Sequence, residues 1–141
     1  MAAVNSRRVL WGALPGGVVW NVWSILVNTA ALGSRYRAAQ EAGLFLKQPR
    51  YPFFMAVGVI TLFLLAYILA WLHASARATR GPGPKTALRI GLFVGFAAGF
   101  PTNFGIATWA PISRFFPLWW MLELWIGAIL TALVAGWLYR D

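Results

Sequence analysis

Between Arg89 and Asn103 the chain reads RIGLFVGFAAGFPTN, with Gly91, Gly95, Gly99 and Asn103 at intervals of four in an otherwise apolar run. On an α-helix that spacing makes one nearly continuous face without side chains, closed by an amide. In a membrane such a face lets another helix approach backbone to backbone, and the amide can hydrogen-bond across the contact. The stripe therefore predicts a bundle of closely packed membrane helices.

The rest of the chain fits that reading. Hydrophobic residues make up 60% of the sequence and charged residues 11%, where a soluble domain needs roughly a quarter charged. The charges cluster between long apolar runs. One all-α integral membrane domain is expected, with four transmembrane helices at about 9–32, 53–72, 87–109 and 117–139. An interfacial segment, 33–50, and a basic loop, 73–86, separate them. No cysteine occurs, which excludes disulfides, thiolate metal sites and thiol catalysis.

A formal net charge of +9 raises nucleic acid as a partner. The basic residues, however, sit at the ends of apolar segments, where Arg7, Arg8, Arg77, Arg80 and Lys85 are expected to meet lipid headgroups. No segment remains for a solvated basic surface, so the expected partner is the bilayer and not nucleic acid.

The first apolar segment begins Ser6-Arg7-Arg8-Val9-Leu10, which resembles a twin-arginine export signal, with Ala31-Leu32-Gly33 as a possible cleavage site. Its apolar run exceeds the 7–15 residues usual in a signal core, and a retained helix is expected. Asn21, Ser24 and Asn28 share one face of that helix, and Gly17 lies a turn before Asn21. They read either as hydrogen-bonding glue between helices or as a polar path in the membrane. Pro15-Gly16-Gly17 is expected to loosen this helix, and Pro101 to kink the third. Residues 38–46 are expected to form a short interfacial helix with Leu44, Phe45 and Leu46 dipping into lipid. His73 is expected at the interface, in contact with headgroups. Two-histidine haem ligation would need a second chain, and no cofactor is expected.

The two halves of the chain repeat faintly. Arg7, Ala13, Gly17 and Asn21 reappear as Arg89, Gly95, Gly99 and Asn103; Trp71-Leu72-His73 reappears as Trp137-Leu138-Tyr139. The expectation is two tandem helical hairpins related by an axis along the membrane normal, with the Asn-bearing first and third helices meeting near it. One side carries seven basic residues (Arg7, Arg8, Arg77, Arg80, Lys85, Arg89 and Arg140) and the other five (Arg35, Arg37, Lys47, Arg50 and Arg114). The positive-inside rule then favours a plasma (bacterial inner) membrane protein with both termini in the cytoplasm.

Glu123 is the one acidic residue within an apolar span. It lies six residues into the fourth span, at a depth of roughly 9 Å, where a carboxylate must be paired, hydrogen-bonded or protonated. Asn103 is expected at similar depth, and Asn28 reaches a comparable level. One reading is an anchor, with Glu123 paired to Arg114 or Arg50 or bonded to Asn103. The other is a site for a cation, proton or polar headgroup built from Glu123, Asn103, Thr102 and Asn28.

The catalytic inventory is thin. A single histidine, one membrane glutamate and a terminal aspartate make neither a triad nor a carboxylate pair, and no cluster suits zinc or di-iron. The expected function is that of a non-enzymatic structural or accessory membrane protein, as a homo-oligomer or within a larger membrane complex. The alternative is a small carrier or channel using the Asn/Glu level.

Overall fold

A computed structural model describes residues 4–139; Arg140, counted above among the basic residues, lies outside them. The described chain is all helical, with α1 at Ser6–Leu26, α2 at Gly33–Glu41, α3 at Phe54–Arg80, α4 at Pro84–Trp109 and α5 at Phe115–Leu138. A π-helical turn, Val27–Ala31, extends α1. No strand occurs among the described residues. Four helices, α1 with its π turn, α3, α4 and α5, are long and apolar enough to cross a membrane.

Local chemistry sets the helix ends. The Asn5 side chain caps α1 by accepting from the backbone N–H groups of Arg7 and Arg8 at 3.1 and 3.2 Å, satisfying two donors that a helix start leaves open. Helix α1 runs through Pro15, and α4 through Pro101. Gly81 and Gly83 adopt φ of 78° and 123°, a region that a side chain disfavours. Pro84 then opens α4 with φ preset for a helix.

The expected loop over 73–86 is mostly helix. Helix α3 continues through Ser75–Arg80, and the turn is confined to residues 81–83. Its 27 residues measure about 40 Å, beyond a hydrocarbon core of ~30 Å. Arg77 and Arg80 occupy its last turn, where cations favour the open carbonyls. The interfacial helix also differs from expectation: α2 starts at Gly33 and stops before Leu44. Phe45 turns inward, with its ring centroid 5.1 Å from that of Phe116, while Leu44 and Leu46 stay exposed.

Helix α5 is the hub, packing against α4, α1 and α3. Against α1 it runs antiparallel in steps of four. Gly12 faces Ala135, Gly16 faces Thr131, and Trp20 lies over Gly127; Ser24 bonds to Glu123. Against α4 the glycine stripe is occupied. A Cβ at Gly91 would meet the Ile129 Cα at 2.7 Å, one at Gly95 the Trp125 backbone at 2.9 Å, and one at Gly99 the Met121 carbonyl at 2.9 Å. Such approaches are open only to glycine. Gly17 is also spent inside the chain, against the Phe63 ring of α3.

Among the described residues no Cα of α1 comes within 8 Å of one of α4, so the two Asn-bearing helices do not pack backbone to backbone as expected. Helix α5 takes the stripe of α4 and also Gly12 and Gly16 of α1, while Gly17 meets α3. The core follows the hub, with Trp20, Leu62, Leu69, Ala128 and Ala132 in its middle cluster. His73 is also moved from its expected place. It is 0% exposed, and a Cβ at Gly136 would lie 3.0 Å from its Cε1 and 3.0 Å from the Ala87 Cβ. The ring is buried against Gly136 of α5.

Candidate functional site

The polar groups inside the bundle are set by the α1–α5 register. One turn beyond Trp20, Ser24 comes level with Glu123, and the next turn brings Asn28 there. The Ser24 hydroxyl donates to Glu123 Oε1 at 2.5 Å, and Asn28 Nδ2 donates to Oε2 at 3.1 Å. The same Asn28 amide group lies 3.0 Å from the Ser24 carbonyl, within its own helix. Asn28 stands in the π turn, the wider winding that often marks a specialised site.

The network extends outward through α2. Tyr36 Oη donates to Asn28 Oδ1 at 2.9 Å and accepts from Trp120 Nε1 at 2.7 Å. Trp120 lies one turn before Glu123 on α5, so the chain of bonds closes back on its own helix. Burial pushes the Tyr36 hydroxyl above its ordinary pKa of 10.0; the Trp120 hydrogen bond opposes this and the Glu123 charge adds to it.

Three of the six candidate residues therefore converge: Glu123, Asn28 and Ser24. Asn103 is buried but donates to the Gly99 carbonyl of its own helix at 2.7 Å. With Gly99 against Met121, one further turn carries Asn103 to the level of Pro117. That is six residues, or about 9 Å, from Glu123, so the equal depth expected of the two does not hold. Thr102 is exposed on the outer surface. Asn21 likewise bonds within its helix, to the Gly17 carbonyl at 2.8 Å.

The expected ion pair is also replaced. Neither Arg114 nor Arg50 pairs with Glu123, which has no basic partner among the described residues. Its two oxygens are held by a hydroxyl and an amide, both neutral. Of the headgroup candidates, Arg7, Arg8, Arg80 and Lys85 are exposed. Arg77 is half-buried; its guanidinium donates to the Tyr139 carbonyl and lies 4.9 Å from the Tyr139 ring centroid. This ties the end of α3 to the end of α5.

Tyr36 and Trp120 are members of the network that the sequence analysis did not single out. No local signal pointed to the contact, which joins Asn28 of the π turn to Tyr36 of α2. No protein-family model, curated protein or solved structure matches the chain.

Proposed function

We propose that this protein is a non-catalytic membrane building block, a structural or accessory subunit that acts through assembly with copies of itself or a larger partner. One observation carries the reading: the small faces of α1 and α4 are spent inside the chain, against α5 and α3. The surface left outward is large and aromatic, with Phe93 72% and Trp109 88% exposed, suited to lipid or to neighbouring membrane helices. On this reading Glu123, Ser24 and Asn28 form an internal clasp between α1 and α5. The tandem-hairpin duplication belongs to the same proposal, supported by the adjacent pairs α1–α3 and α4–α5. So does a bacterial inner-membrane location with cytoplasmic termini, supported by the seven-to-five distribution of basic residues.

Native mass spectrometry of the protein, gently extracted from its own membrane at natural abundance, tests this. A fixed-stoichiometry assembly is expected. A lone chain at every detergent concentration contradicts it.

One observation favours a second reading, a small carrier or channel for a cation, proton or lipid-like solute. Glu123 has neutral partners only, so a carboxyl group within an apolar span lacks a basic protein partner among the described residues. Vesicles holding purified protein distinguish the two: a cation or proton flux that Glu123→Leu abolishes supports a carrier, and no flux above empty vesicles removes it.

A further inference from the structure

A groove of about 270 Å³ lies where α2 passes the start of α5, lined by Arg35, Ala38, Ala42, Leu44, Ser113 and Phe116. It shares no residue with the Glu123 network, whose Tyr36 and Trp120 lie behind Phe116, and it is independent of the assembly reading. Its walls are methyl groups, an isobutyl group and a ring; its polar groups are one guanidinium and one hydroxyl.

The Arg35 guanidinium carbon lies 3.7 Å from the centroid of the Phe115 ring. Stacking on an aromatic face holds the plane of the group and leaves its edge donors pointing outward. No carboxylate pairs with Arg35 among the described residues. Ser113 Oγ accepts from the Phe115 N–H at 3.3 Å, so its own proton remains for a ligand. Two donor groups at the rim of an apolar groove match an anionic oxygen carried on a hydrocarbon body.

The surroundings give the occupant its sign and depth. Lys47, Arg50 and Arg114 lie in the two connections on this side of the helices, where Glu41 is the single acid, an excess that draws anionic lipid. Leu44 and Leu46 are 48% and 61% exposed, the apolar contacts expected at a headgroup–acyl boundary. We propose that the groove seats the glycerophosphate head of an anionic phospholipid, with the phosphate on Arg35 and Ser113. The upper acyl chain then lies along Ala38, Ala42 and Leu44.

The test is native mass spectrometry of the full-length protein in detergent with added phosphatidylglycerol or phosphatidylcholine. One phosphatidylglycerol per chain should survive activation that strips phosphatidylcholine. Arg35→Gln should lower retention about tenfold, as loss of a charge-assisted contact implies. Ala42→Trp, which fills the groove and keeps the charge, should lower it too, with helicity unchanged by circular dichroism. Arg37→Gln, an equal change of charge on the same helix, should retain lipid as the parent does. Equal retention of the two lipids, full retention by Arg35→Gln and Ala42→Trp, or equal loss in Arg37→Gln would each overturn the proposal.

Discussion

A Cβ on Gly127 of α5 would lie 2.1 Å from the indole nitrogen of Trp20 on α1. Trp20 is 0% exposed, so the ring has no free space into which to retreat. Gly127→Ala should therefore force the largest buried side chain out of its seat, at about 1–3 kcal/mol for overpacking of this kind. Thermal unfolding in detergent should show an earlier transition than the parent. An unchanged midpoint would mean that Trp20 does not occupy this position.

The glycine stripe of α4 divides from other glycines in the same way. Gly91→Ala and Gly95→Ala would set a methyl group within 2.7 and 2.9 Å of α5 backbone and should separate the helices. Gly58 and Gly105 have nothing within 4 Å. Alanine there should leave stability unchanged or raise it by about 0.5–1 kcal/mol through better helix propensity. Resistance to unfolding by dodecyl sulfate, compared across the four variants, separates the two classes.

Removing the carboxylate should loosen the α1–α5 clasp without preventing insertion. Glu123→Leu leaves the Ser24 hydroxyl and the Asn28 amide without their partner across the helices. Interhelical hydrogen bonds in membranes average only about 0.6 kcal/mol, with a maximum near 1.7, so a modest loss of unfolding resistance is expected. Glu123→Gln keeps an acceptor for Ser24 and should lose less. A larger loss in Gln than in Leu would contradict the clasp.

Tyr36 makes stability depend on alkaline pH. Because burial and the Glu123 charge raise its folded pKa above 10.0 against the pull of Trp120, the native state holds its proton longer than the unfolded chain does. The resulting stability is full below pH 10 and is lost as pH rises from there through the raised folded value. Tyr36→Phe should remove that part of the alkaline slope. It should also cost about 1–3 kcal/mol at neutral pH by leaving Trp120 Nε1 and Asn28 Oδ1 unmatched. Thermal midpoints of both proteins from pH 8 to 11 check the sign; parallel profiles would exclude the linkage.

Much of the architecture was legible in the residues. Long apolar runs foretell helices able to cross a bilayer, and glycines four apart foretell a face that another helix approaches. A small face, however, says only that something comes close. Gly91, Gly95 and Gly99 meet α5 because of how four helices share space, which no local pattern encodes. The extension of α3 through Ser75–Arg80 was not legible for a related reason: polar, helix-forming residues there read equally well as a loop. At the site, Ser24, Asn28 and Glu123 were visible as rare polar residues in apolar helices. Tyr36 was not, because it reaches Asn28 only through the π turn and the change of direction into α2.

The placement of α5 between α1 and α4 is tested most directly by cross-linking, since the chain has no cysteine of its own. A Cβ at Gly12 lies 3.6 Å from the Ala135 Cβ, close to the ~3.8 Å of a disulfide. Oxidised Gly12→Cys/Ala135→Cys should run as a monomer with an internal bridge, and Asn21→Cys/Asn103→Cys should form none within the chain. An internal bridge in the second pair, or dimers in place of an internal bridge in the first, would contradict the arrangement in which α5 takes up the small faces within one chain.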